Sequence, residues 1–200
     1  QEIVLSKPPI GIRLEVHLQL NTNPTLFFSC STDYIGQTPN SNVCPICLAI
    51  PGTLPLLNDS AVALGARMGL GLQCTIQNYS NFHRKNYFYA DLPKAYQITQ
   101  YELPIAVRGY LDIETDGGQK RVRVHHLHLE EDAGKLVHPT TDGRLTGAAY
   151  SLVDYNRGGV PLAEIVSEPD MSSPAEAKDY VSRLRQLARY LNVSDGEMES

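Results

Sequence analysis

Carboxylates and imidazoles recur at strand spacing in three separate stretches of this chain. Leu14-Glu15-Val16-His17-Leu18-Gln19-Leu20 alternates apolar and polar residues, so a half-buried strand there would carry Glu15, His17 and Gln19 on one face. Val124-His125-His126-Leu127-His128-Leu129-Glu130-Glu131-Asp132 runs from imidazoles into three consecutive acids at a strand end. Adjacent carboxylates repel unless a cation neutralises them, and hard oxygen donors suit Mg²⁺ or Mn²⁺. The third stretch is Pro161 to Ser167, where Glu164 on a short apolar strand needs a partner. Arg157 can supply a plain ion pair; a metal shared with Glu15 and Glu131 is the other reading. Pattern alone gives the acidic turn and the Arg157 pair at least equal weight with a metal site.

Two further groups could do chemistry. Asn81 to Tyr96 mixes His83, Arg84, Lys85 and Lys94 with phenylalanine and tyrosine rings, which suits a phosphate-bearing ligand or, more plainly, a loop whose tyrosines line the core edge. Cys44-Pro45-Ile46-Cys47 is a two-thiolate knuckle of the kind that holds zinc, with Cys30 able to join it and Cys74 the only other cysteine. Buried free thiols are the plainer reading. There is no Gly-x-x-x-x-Gly-Lys loop, no Gly-x-Gly-x-x-Gly turn and no Gly-x-Ser-x-Gly elbow, which removes P-loop, Rossmann and common serine hydrolase sites.

The elements that must position these groups are mainly strands. Besides Leu14–Leu20, strands are expected at Tyr96–Leu103 and Gly109–Glu114, with Asp116-Gly117-Gly118 turning into Lys120–Val124, which is antiparallel material. Asn58-Asp59-Ser60 opens a helix over Ala61–Leu70, and Ser173-Pro174-Ala175-Glu176 combines an N-cap, proline at the first helical position and a capping-box glutamate. Ala177, Tyr180, Val181, Leu184, Leu187, Ala188 and Leu191 give that second helix one packing face, with Arg183, Arg185 and Arg189 outside. The segment Asn21 to Pro55 is loop-rich and needs a staple or a partner.

The 200 residues, 42% hydrophobic and 20% charged, fit one sizeable soluble domain. A net charge of −5 excludes holding nucleic acid by bulk electrostatics, and no apolar run approaches the ~20 residues of a membrane span, so no membrane contact is expected. A chain that begins at Gln1 and ends at Glu199-Ser200 reads as a fragment.

The words Leu-Glu-Val-His-Leu-Gln-Leu, Asn-Ser-Asn-Val-Cys-Pro-Ile-Cys-Leu, Arg-Lys-Asn-Tyr-Phe-Tyr, Asp-Leu-Pro-Lys-Ala-Tyr-Gln-Ile, His-Leu-Glu-Glu-Asp-Ala-Gly-Lys and Asp-Tyr-Asn-Arg-Gly-Gly-Val-Pro-Leu-Ala-Glu-Ile-Val-Ser-Glu-Pro-Asp occur in order. From about Gly11 to Glu199 the chain resembles the family of aspartyl/glutamyl-tRNA amidotransferase B subunits. The resemblance implies an α+β fold of antiparallel sheets with packed helices, a glutamine synthetase-like catalytic cradle over residues 1–200, with helical and tRNA-gripping tail domains beyond Ser200. It implies ATP-dependent phosphorylation of the side-chain carboxylate of Glu-tRNA(Gln) or Asp-tRNA(Asn), then amidation by ammonia from a glutaminase partner. The expected partners are that amidase (the A subunit), the small C subunit of a heterotrimer, and the misacylated tRNA. The expected location is the bacterial cytoplasm or a mitochondrial or chloroplast matrix.

On the same resemblance Glu15, His17, Glu131 and Glu164 hold Mg²⁺, Lys85, Glu130 and Glu131 carry the chemistry, and Lys85 and Asn86 contact ATP. Cys30, Cys44 and Cys47 are the zinc candidates. Phe28-Ser29-Cys30 stands where many relatives have Cys-x-Cys, so one zinc ligand is missing, and Gly11-Ile12-Arg13-Leu14 replaces a shorter lead into the first strand. Two other readings remain open. One is a non-catalytic, zinc-stabilised tRNA-binding or assembly module. The other is a secreted disulfide-bonded glycoprotein, drawn from the even cysteine count and acceptor triplets such as Asn78-Tyr79-Ser80.

Overall fold

A computed structural model describes residues 10–139 and 146–197; the terminal Glu199-Ser200 lie outside the described residues. Among the described residues nine strands and two helices follow in the order β1 (Glu15–Gln19), α1 (Asp59–Gly71), β2 (Thr75–Ile76), β3 (His83–Asn86), β4 (Tyr96–Thr99), β5 (Ala106–Thr115), β6 (Gly118–Glu131), β7 (Lys135–Val137), β8 (Leu152–Asp154), β9 (Pro161–Ser167) and α2 (Pro174–Tyr190). Every pairing between them is antiparallel, and the fold is α+β. The main sheet runs β1-β9-β6-β4-β3, with β5 also on β6 and β2 on β5; β7 and β8 form a separate ribbon.

The 14-residue β6 is the spine of the sheet, because its last residues lie between β9 and β4 while its first half pairs with β5. Its two halves face differently. Val122 and Val124 point into the core, yet farther along it is Leu127 and Leu129 that do so, while His126, His128 and Glu130 face the other way. The phase changes at a bulge between Val124 and His126, where the pairing to β9 slips by one residue. Arg108 on β5, beside this bulge, has a left-handed backbone with φ 56°.

Helix α1 starts where Asn58 accepts a hydrogen bond from Ser60 N at 3.0 Å, as its sequence predicts. It lies close on the sheet because Gly65 has no side chain; a Cβ there would stand 2.8 Å from Leu129 Cδ2. Helix α2 is capped by Ser173 Oγ accepting from Glu176 N at 3.2 Å, and it buries Tyr180, Leu184 and Ala188; Val181, expected inside, is 42% exposed. The strand expected to reach Leu103 stops at Thr99, and a turn follows. The lead Gly11–Leu14 does not lengthen β1; Ile12 instead forms a lone bridge to Met171.

The loop-rich segment after β1 is held without any disulfide. Leu26, Phe27, Phe28, Cys30 and Cys47 insert into the core. Asn40 and Asn42 interlock with residues 153–156: Asn42 N donates to Asn156 Oδ1 at 2.8 Å and Asn156 Nδ2 donates to Thr38 O at 2.8 Å. Gly159, at φ 82°, lies where a Cβ would stand 2.3 Å from the Phe28 ring, so that ring closes directly over backbone. All four cysteines are free thiols in this structure.

Candidate active site

Strand register builds the site. On β9, Glu164 is directly opposite His17 of β1 on one side and His128 of β6 on the other, so three adjacent strands place imidazole, carboxylate and imidazole in one row. Glu130, two residues along β6 on the same face, completes a quartet. His17 Nε2 is 2.9 Å from Glu130 Oε1 and 3.6 Å from Glu164 Oε2; His128 Nε2 is 3.1 Å from Glu164 Oε2 and 3.6 Å from Glu130 Oε2. His128 and Glu130 are buried, Glu164 nearly so, and His17 is half exposed.

The four groups charge one another. Hydrogen bonding to Glu130 raises the pKa of His17 against the cost of burial. Burial opposes a charge on His128, but its bonds to Glu130 and Glu164 outweigh that and push it up to about 9. Burial likewise opposes ionisation of Glu130, and the two imidazoles overcome it, holding the carboxyl down at about 2. The hydrogen bond from His128 lowers Glu164. Imidazoles and carboxylates thus favour one another's charged forms, much as a divalent ion would favour the charged carboxylates.

The donor set fits such an ion. One ligand atom each from His17, Glu130 and Glu164 lies within 4.8 Å of the other two, and carboxylate oxygens with one imidazole suit Mg²⁺ or Mn²⁺. A cavity of about 520 Å³ opens beside three members of the quartet, Glu130, Glu164 and His128, and is lined also by Glu15, Arg84, Lys85 and Tyr101. A second cavity of about 360 Å³, lined by Gln19, Tyr87, Leu92 and Gln97, lies against His17 and Glu130. Glu130 lines both.

The sequence-derived candidates separate accordingly. His17 and Glu164 meet as expected, and Glu15 lines the cavity from its side, 3.4 Å from Arg13 rather than within the quartet. Lys85 lies on the cavity wall as a phosphate contact should, whereas the neighbouring Asn86 does not line it. Glu131 must be corrected: the pleat turns it to the opposite face, fully buried, where it binds the Lys94 ammonium and accepts from Ile98 N at 2.9 Å. Burial raises its pKa, and its second oxygen has no hydrogen-bond partner. Glu130 takes the place expected for Glu131. Arg157, the plain partner considered for Glu164, instead donates to Ala133 O and Gly134 O at 3.0 and 2.9 Å.

Sequence reasoning missed His128 as a member of the site, although its spacing from Glu130 on an alternating strand carried the signal.

The thiols form their own cluster. Cys47 Sγ is 3.4 Å from Cys30 Sγ and 3.2 Å from Cys44 Sγ, close to the roughly 3.8 Å between thiolates on tetrahedral zinc. Three cysteines can therefore hold an ion. Cys74 is not among them; it packs against Gly109, and burial pushes its thiol up to about 11. Burial also raises Cys47 and Cys30, while hydrogen bonds from the Cys47 and Ile46 backbone outweigh burial at Cys44 and lower it.

Among the described residues no helix is long and apolar enough to cross a membrane. The family model described as "GatB/GatE catalytic domain" matches residues 10–200. The chain is 55% identical over 188 residues to the B subunit of the aspartyl/glutamyl-tRNA(Asn/Gln) amidotransferase of Thermoanaerobacter pseudethanolicus, covering 94% of this chain and 38% of that protein. The proteins of the same name from Pseudothermotoga lettingae and Thermotoga petrophila are each 53% identical, over 94% and 96% of this chain and 39% of theirs. The chain thus spans 38% to 39% of the length of these relatives.

Proposed function

Since the chain belongs to the GatB/GatE catalytic domain family, we propose that it carries the phosphorylating and amidating half of a glutamine-dependent tRNA amidotransferase. The substrate is Glu-tRNA(Gln) or Asp-tRNA(Asn). Its side-chain carboxylate attacks the γ-phosphorus of ATP and ADP leaves; ammonia then displaces phosphate from the acyl phosphate and loses a proton, giving Gln-tRNA or Asn-tRNA. The observation that carries this reading is the His17–Glu164–His128 row with Glu130, of which Glu164, His128 and Glu130 share one cavity with Lys85.

His17, Glu130 and Glu164, with Glu15 beside them, would hold Mg²⁺. When bound, the ion neutralises phosphate charge and fixes the geometry of transfer. Lys85 and Arg84, on the cavity wall, meet the phosphates as point charge and fork, and Lys85 stabilises the charge spread over the transferring group. The cavity beyond Glu130, where Gln19, Gln97 and Arg157 offer hydrogen-bond donors, receives the aminoacyl end, so that Glu130 stands between the two substrate cavities. Buried Leu162 and Leu92 on that side limit water that would hydrolyse the acyl phosphate.

The partners in this reading are an amidase (the A subunit) that releases ammonia from glutamine, the small C subunit and the tRNA, and the protein works in the bacterial cytoplasm or an organelle matrix. The cradle shape related to glutamine synthetase belongs to the same proposal. The test uses the full-length protein assembled with its amidase partner. Phosphate release from ATP should require mischarged tRNA and yield amidated tRNA, and Glu130→Gln should stop both while tRNA still binds. Wild-type phosphate release in that variant would overturn the assignment.

A further inference from the structure

The row that holds the carboxylates continues behind them. His126, next on the same face of β6, presents Nε2 to His128 Nδ1 at 3.1 Å, and the two rings stack at 5.1 Å and 24°. His126 is 3% exposed and His128 1%, so water does not compete for this bond. The Tyr101 ring stands edge-on to both, 5.7 Å from His126 and 6.0 Å from His128. The other nitrogen of His126 is also engaged, with His125 Nδ1 at 2.7 Å. His126 is thus held by imidazoles on both sides. Its placement depends on the bulge, because the slip between Val124 and His126 is what turns this imidazole from the core side to the site side.

Resting on the metal-site reading above, we propose that His126 is a positioning residue for the divalent ion: its Nε2 fixes the ring of His128, and His128 Nε2 sets the spacing of the Glu130 and Glu164 carboxylates. His128 has one nitrogen for the carboxylates and one for an anchor. Without the anchor the ring can rotate about its side-chain bonds, and the two carboxylates lose the common donor that holds them within reach of one ion. Groups bonded directly to a metal ligand, as His128 is to Glu130 and Glu164, change metal affinity by about 10- to 100-fold when removed, and His126, one bond farther out, acts at the lower end of that range. The geometry also says which atom matters. Glutamine reaches where Nε2 stands, whereas asparagine reaches only where Nδ1 stands, and both are polar and similar in bulk to histidine.

Mn²⁺ alone, titrated into the full-length protein and followed by electron paramagnetic resonance, separates the two. His126→Gln should bind Mn²⁺ within about threefold of wild type and His126→Asn about tenfold more weakly, with melting temperatures alike. Equal affinities in the two variants, whether retained or lost, would overturn the role of Nε2. If His126→Asn does not fold, Tyr101→Leu, at an exposed ring, replaces it: weaker Mn²⁺ binding supports the anchored stack and unchanged binding refutes it. A wild type that takes up no Mn²⁺ would overturn the metal site itself, and this role with it.

Discussion

Two clusters in this protein bring ligand-type side chains together before any ion arrives, and they do it by opposite means. The carboxylate–imidazole quartet sits on three paired strands, and its spacing follows from the register of β1, β9 and β6. The thiol cluster of Cys30, Cys44 and Cys47 sits on irregular chain, held by core contacts of Phe27 and Phe28 and by the asparagines that tie residues 38–42 to 153–156. In the first, imidazoles and carboxylates favour each other's charged forms. In the second, burial raises Cys30 and Cys47, while hydrogen bonds from its neighbours outweigh burial at Cys44 and lower it. The sheet fixes one cluster through strand register, while the other depends on core packing and asparagine hydrogen bonds along irregular chain.

The largest contrast is expected from removing one ligand of each. Glu130→Gln should lower kcat for phosphate release at least about 10³-fold, while Cys44→Ser should leave it within about twofold. Comparable losses in steady-state assays would mean that the thiol loop shapes the reaction. Next is Lys94→Ala, which strips the partner from buried Glu131 and should cost about 3 kcal/mol of stability in denaturant unfolding. A cost below about 1 kcal/mol would show that Glu131 is already neutral.

Lys85→Ala should raise the barrier for phosphoryl transfer by about 2 to 3 kcal/mol without changing the melting temperature, because Lys85 is exposed. An unaltered kcat would make it a surface residue.

Proton linkage gives a subtler contrast. His128 is raised to about 9 and His17 is raised, so the stabilisation from each is complete below the ordinary 6.5, and that from His128 is lost as pH climbs through about 9. Glu130, lowered to about 2, stabilises above its ordinary 4.5 and stops doing so as pH falls through about 2. The metal-free protein should therefore melt progressively lower between pH 7 and pH 9, and Mg²⁺ should flatten that slope. A flat metal-free profile by calorimetry would contradict the charged quartet. The smallest effect belongs to zinc: with Cys74 out of reach, three thiolates leave an open fourth position. Zinc should be substoichiometric by elemental analysis, and chelation should shift the melting temperature by less than about 3 °C.

The sequence showed five of the nine described strands, both helix caps and the cysteine knuckle, because each rests on local chemistry: alternation in Leu14–Leu20, serine and asparagine at the caps, and two-residue spacing at Cys44-Pro45-Ile46-Cys47; the short β2, β3, β7 and β8 carry no such alternation. His17 and Glu164 were legible for the same reason. Glu130 and Glu131 were not distinguishable. Alternation carried forward from Val122 and Val124 puts Glu131 on the open face, and only the bulge past Val124 reverses the phase and exposes Glu130 instead. The three-residue step from Val124 to Leu127 in an otherwise alternating series is the mark of that slip, and a strand read only as far as Val124 does not reach it. The burial of Lys94 with Glu131 was hidden too, since a lysine in a basic, aromatic segment reads as a solvated charge.

Mn²⁺ binding to wild type, Glu130→Gln and Glu131→Gln full-length proteins tests most directly which face of β6 is the site. The quartet predicts that Glu130→Gln loses Mn²⁺ affinity by at least about tenfold while Glu131→Gln keeps it within about threefold. Loss in Glu131→Gln with retention in Glu130→Gln would place the ion on the opposite face of the sheet and contradict the account.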